Sequence, residues 1–337
     1  LTWWFQVMPI FFIVGGYSNA VSLESAKRKG QGYADWLIAR LHRLVTPLLA
    51  LIITWGVVAG VMKMMDVRPA VIVFTSQAAL IPTWFLSIYI TLALLAPIAY
   101  KFWRRYGFLS FWALAAVAVI IDVLFFAADV RWPGWTNYVW VWLAVHQLGF
   151  AWRDGRMGSV PKLLVYSALG FATLYVLVHW GPYPLAMVGS PDTALSNTLP
   201  PKITLLALGI FQFGLLLALE GPMRRALSGL RLWTATVLVN SMIMTIYLWH
   251  ITVMVLFGSV LYLSGGFGFH IEPGTTDWWL TRPIWIGVLI VLLIPAALLM
   301  SPLERRSRSP ETPTPSAVRL VIGAIMTCLG IALLAMW

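Results

Sequence analysis

Charge is what this chain has least of. Asp, Glu, Lys and Arg make up 10% of its 337 residues and hydrophobic residues 60%. A soluble domain of that composition would lack the polar surface to cover itself, so lipid is the solvent. Cysteine is almost absent: Cys328 stands alone in the final apolar run, which excludes an intramolecular disulfide and a cysteine metal cluster. The histidines (His42, His146, His179, His250 and His270) show no His-x-x-x-His spacing, and no metal site is readable. No glycine loop leads into Lys and Ser or Thr, which argues against a nucleotide-driven pump. Acidic residues total 12, and few fall within apolar runs, so a proton-coupled transporter would lean on Asp122 alone. Nothing is left over for a separate soluble domain. The first apolar run is followed by a basic loop rather than a small-residue processing site, and no fixed-period repeat is present.

What the chain has is a succession of apolar runs, each long enough to cross a ~30 Å hydrocarbon core. They predict ten spans, at roughly 4–22, 44–62, 84–100, 108–127, 136–152, 162–180, 202–219, 236–262, 283–300 and 318–336. The expected fold is an all-α, polytopic transmembrane bundle forming a single integral-membrane domain over 1–337. Many of the 19 tryptophans sit at the ends of these runs, as rings anchored at headgroup level do. A net charge of +11 invites a nucleic-acid reading, but the charges alternate by side. Lys63, Arg68, Arg131, Lys202 and Arg282 fall on one side and every other Lys and Arg on the opposite one, which is therefore read as cytoplasmic. Both chain ends then face outward, and a further helix before Leu1 would restore a cytoplasmic start. Residues 70–82 are apolar but too short to span and read as re-entrant or interfacial. Two outer segments, 181–201 and 263–281, are too rich in proline or glycine for regular helix and are placed to cap a cavity open to the outside. The charged, proline-rich stretch 301–317 reads as a flexible cytoplasmic linker before a last helix over 318–336.

Few residues are left to carry chemistry. Arg40 and Arg43 lie three apart, on one helix face at the membrane surface. Two guanidiniums there form a fork for phosphate; the same spacing also fits topogenic charge in contact with anionic headgroups. Within 240–253, Asn240, Tyr247 and His250 fall on one third of a helical wheel. His250 lies in a long apolar run, where an ionisable side chain faces a bundle interior or a wet cavity. It reads either as a base or as a neutral imidazole bonded to a neighbouring helix. Asp122 and His179 stand close to outer span ends and read as solvated or paired; His146 lies deeper.

Three local patterns together resemble the acyltransferase 3 family of membrane acyltransferases. They are MPIFFIVGGYSNAVS (8–22), Arg40-Leu41-His42-Arg43-Leu44 followed by Pro47, and TIYLWHITV (245–253), supported by PTWFLSIYITLALLAP (82–97). The resemblance implies a multi-pass protein of the cell membrane that moves an acyl group from cytoplasmic acyl-CoA onto a hydroxyl of an envelope glycan or glycolipid. It implies that Arg40 and Arg43 hold the CoA phosphates, and that the family's histidine sits on a helix upstream of Leu1. Within this chain His250 is the base in a central position, with Tyr247 or Asn240 as oxyanion donors. The expected partners are acyl-CoA, the envelope acceptor and membrane lipid, with no nucleic acid and no metal. A transporter or flippase of an envelope precursor, and an inactive homologue, are the competing readings.

Overall fold

The computed structural model describes residues 2–189, 195–266, 268–305 and 313–336. Among them regular structure is helical throughout: α1 (Thr2–Phe5), α2 (Met8–Arg28), α3 (Tyr33–Met64), α4 (Pro69–Leu80), α5 (Thr83–Tyr106), α6 (Phe108–Ala127), α7 (Asn137–Arg153), α8 (Val160–Trp180), α9 (Ile203–Ala218), α10 (Glu220–Ala226), α11 (Leu230–Asn240), α12 (Ile243–Leu263), α13 (Thr276–Arg305) and α14 (Ala317–Met336). Helix is what an apolar solvent demands, because it satisfies every backbone N–H and C=O within the segment.

Among the described residues eight helices are long and apolar enough to cross a bilayer, and the pair α9 and α10, bent by 52°, makes a ninth if it is one span. The tenth expected span is α7. It has 17 residues and is buried along most of its length, a helix enclosed by its neighbours rather than one facing lipid. Residues 70–82 are too short to span, as expected: α4, Pro69–Leu80, is 12 residues long, about 18 Å. The described parts of the outer segment 181–201 form no helix, and α13 starts only at Thr276.

Two expectations need correction. The run 236–262 is not one helix: it breaks at Ser241–Met242 into α11 and α12. The linker does not begin at 301, because α13 continues to Arg305. Residues 306–312 of that stretch lie outside the described residues.

Contacts divide the chain into two compact units, 1–36 with 88–229 and 37–87 with 230–337, the boundaries falling inside α3 and α5. In the first unit α2 and α7 cross at very close range. A Cβ on Gly16 would lie 2.9 Å from the His146 carbonyl carbon and 3.3 Å from Gly149 Cα, and one on Gly149 would lie 2.5 Å from the Tyr17 nitrogen. Glycine at these positions is thus a condition of the contact, as small residues are at helix crossings in lipid. Phe12 packs beside this crossing against Trp142, ring centroids 4.4 Å apart and tilted by 32°. Helices α8 and α9 pack through the same device at Gly170 and Gly214. In the second unit Leu51, Trp55, Ala79, Leu248 and Trp249 form a core joining α3, α4 and α12, pinned by a hydrogen bond of 3.0 Å from Trp55 Nε1 to Thr252 Oγ1.

Candidate active site

Arg40 and Arg43 lie in the second and third turns of α3, in the second unit, with Arg40 half-buried and Arg43 exposed. Their separation of three residues gives them neighbouring positions on one face. Pro47 follows inside the same helix and is buried.

Tyr247 and His250 are one turn apart on α12 of the same unit, ring centroids 5.6 Å apart. Tyr247 packs edge-on against Phe85 at 5.0 Å. The His250 ring is exposed, and its Nδ1 meets the Tyr247 carbonyl of its own helix. Asn240 does not join them. It ends α11, is exposed, and stands beyond the break at 241–242, so the helical wheel that placed it beside His250 does not exist.

The break has a cause that sequence reading missed. Glu304, near the end of α13, is 5% exposed and accepts hydrogen bonds from Thr245 N at 2.9 Å and Thr245 Oγ1 at 2.7 Å, with Met244 N at 3.4 Å. The first N–H groups of a helix have no partner within it, and a carboxylate there also meets the positive end of the helix dipole. Glu304 therefore fixes where α12 begins, and with it the position of Tyr247 and His250. Its sequence neighbourhood, a charged and proline-rich stretch, gave no sign of this.

The first unit holds further polar groups. His146, fully buried, bonds through Nε2 to Asn19 Nδ2 at 3.1 Å, and its ring stands edge-on to Phe150 at 5.0 Å. Toward the arginine-rich side, Glu24 pairs with Arg153 and accepts from the Tyr100 hydroxyl at 2.6 Å. Asp154 accepts from Arg153 Nη1 at 2.8 Å and Trp103 Nε1 at 2.9 Å. Burial alone would raise the Asp154 carboxyl, but those two hydrogen bonds, with the charges of Arg153 and Arg104, hold it below the usual carboxylate range. On the opposite side Asp122 is 1% exposed. It is paired rather than solvated, accepting from Asn137 Nδ2 at 3.0 Å, Tyr183 Oη at 3.1 Å and the Ile203 N–H at 2.8 Å. Lys202, also 1% exposed, points its ammonium at the Phe125 ring, 3.1 Å from the centroid. His179 bonds back to Tyr175 of its own helix and is exposed.

Of the residues named from sequence, the structure thus brings Tyr247 together with His250, keeps Arg40 and Arg43 on one face, and separates Asn240. The model of the acyltransferase 3 family, an acyltransferase domain, matches residues 2–301. The chain belongs to this family. The match takes in the paired arginines, the α2–α7 crossing and the Tyr247–His250 turn of α12. No curated protein and no solved structure matches the chain. Membership makes the protein a membrane acyltransferase in general terms, and its apolar helices make it a multi-pass membrane protein.

Proposed function

We propose that this protein, a multi-pass protein of the cell membrane, transfers an acyl group from cytoplasmic acyl-CoA to a hydroxyl of an envelope glycan or glycolipid. The observation that carries the reading is the family match over residues 2–301, which includes an Arg-x-x-Arg element suited to phosphate. Arginine fits that task because its planar donors bind phosphate oxygens in pairs and stay charged in a partly dry site.

A thioester is already activated, so the protein has three tasks: to orient the acceptor hydroxyl, take its proton and steady the oxyanion. The accessible ring of His250 serves as the base. The acceptor oxygen attacks the thioester carbonyl as its proton passes to the imidazole. The tetrahedral intermediate collapses with loss of CoA thiolate, which takes up a proton and leaves as the thiol. The Tyr247 hydroxyl, one turn away, is the candidate oxyanion donor. Asn240, on its own helix, has no part in this arrangement. His146, enclosed by Asn19, Phe150 and the α2 backbone, is read as holding α2 to α7.

The test uses the full chain in nanodiscs, with release of free CoA thiol and acylation of the acceptor both followed. Arg40→Ala and Arg43→Ala are expected to raise the KM for acyl-CoA by at least roughly tenfold. His250→Ala is expected to lower kcat by roughly 10²- to 10⁴-fold, the usual worth of a positioned base. A His250→Ala protein working at the wild-type rate removes the base assignment. Acceptor crossing the bilayer with no dependence on acyl-CoA supports a transporter instead.

A further inference from the structure

The first unit carries a cavity that plays no part in the chemistry above. It is a groove of about 610 Å³ between α5, α6 and α7, within the range of ligand pockets, roughly 300–1,000 Å³. Along α5 it runs from Leu95 to Tyr106. At 1.5 Å per residue that is about 16 Å, half of the ~30 Å hydrocarbon core and so the depth of one leaflet. Its lining is mostly apolar; of its polar side chains, Ser110 donates to Gln147 at 3.0 Å and Trp140 donates outward to Thr136 at 3.2 Å. An occupant of the groove thus needs no polar groups along its length.

The end of the groove has the opposite character. It reaches Tyr106, the last residue of α5, on the arginine-rich side. The Arg105 guanidinium lies 5.3 Å from the Tyr106 ring centroid. Arg156 reaches the turn between α5 and α6, its Nη1 standing 3.0 Å from where a Cβ on Gly107 would be. Its acidic neighbour Asp154 is 4.0 Å away and already holds Arg153 and Trp103. Both arginines are exposed. An apolar slot one leaflet deep, with two guanidiniums beside its arginine-side end, matches a molecule with a hydrocarbon tail and an anionic head.

We propose that the groove binds one acyl chain of an anionic phospholipid from the leaflet on the arginine-rich side, its phosphate held between Arg105 and Arg156. The inference is independent of the acyl-transfer reading. It is tested with the full chain in phosphatidylcholine nanodiscs containing a small fraction of phosphatidylglycerol with a diazirine in its acyl chain. After irradiation the labelled residues are mapped by peptide mass spectrometry. Labelling is expected to concentrate on α6 between Leu109 and Val117. Ala113→Trp, which fills the slot, is expected to abolish it, and Arg105→Gln or Arg156→Gln to lower it roughly fivefold each. The arginine variants alter only exposed side chains, so they report even where the tryptophan variant fails to fold. Equal labelling by the matching phosphatidylcholine probe overturns the proposal, since the face is then ordinary lipid-facing surface. Displacement of the probe by a long-chain acyl-CoA, or exclusion of the probe by a second copy of the chain crosslinked across the groove, overturns it equally.

Discussion

At the scale of single residues, the buried pair of opposite charges on the side away from the arginines is the most constrained feature. Asp122 takes three hydrogen bonds, one from the backbone at the start of α9. Lys202 has no hydrogen-bond acceptor for its ammonium among the described residues and relies on the Phe125 ring and the charge of Asp122. Burial lowers the Lys202 pKa to about 8, with Asp122 acting in the opposite direction. The unfolded chain therefore keeps a proton that the folded one sheds between about pH 8 and the ordinary lysine value of 10.5. Stability rises with pH wherever the unfolded state binds more protons, so it should rise across that window and be level below it. Tyr183, pushed upward by burial and by Asp122, titrates above the window. Thermal unfolding followed from pH 7.5 to 9.5 should show the rise in the wild type and lose it in Lys202→Met; a flat wild-type profile refutes the assignment. Asp122→Ala strands three donors and should cost several kcal/mol, at about 1–3 kcal/mol for each buried unmet group. Sequence reading saw Asp122 but not its partners, because Tyr183 and Ile203 lie 61 and 81 residues away and only the fold brings them to it.

At the scale of elements, the helices were largely legible because each long apolar run has one cheap conformation in lipid. Two features that decide their arrangement were less so. The Gly15-Gly16 pair stood out as part of a motif, yet its partner, Gly149, had no signal of its own. Gly16→Ala or Gly149→Ala drives a methyl into backbone rather than into a side chain able to move. Such overpacking costs about 1–3 kcal/mol or more. The control is Gly56→Ala in α3, where a Cβ meets nothing within 4 Å and a helix-favouring residue should be neutral or stabilising. Equal melting temperatures for Gly16→Ala and Gly56→Ala would mean that α2 and α7 do not cross as described. The second feature is the cap on α12. An apolar run reads as one continuous helix until something captures its N–H groups midway, and the capturing residue lies about 60 residues on. Glu304→Gln keeps the shape and removes the charge, so it should weaken the cap by about 1 kcal/mol. Hydrogen exchange should then quicken at Met244 and Thr245 while the middle of α12 stays protected. Unchanged exchange there would separate Glu304 from the positioning of His250.

At the scale of the whole molecule, charge rather than length sets the sidedness of the chain. Helix α7 has only 17 residues, most of them buried, so neither its length nor a lipid-facing stripe marks it as a crossing. The loops around it still require that it cross. The connection after α6 carries Arg131 alone, whereas the one between α7 and α8 carries Arg156, with Arg153 and Lys162 beside it. By the positive-inside rule these connections lie on opposite faces, and only a crossing α7 separates them. At about 25 Å, α7 is long enough to bridge most of the hydrocarbon core, and it packs against α2, α6 and α9 along the way. The prediction is made on a Cys328→Ser background, so that a single introduced cysteine reports alone. An impermeant thiol reagent applied from outside intact cells should modify Ala128→Cys and not Gly155→Cys, while permeabilised cells should show both. Modification of both positions from one side would make α7 a re-entrant element. Every helix after it would then be inverted, and the basic connections from α10 onward would face outward against the charge rule.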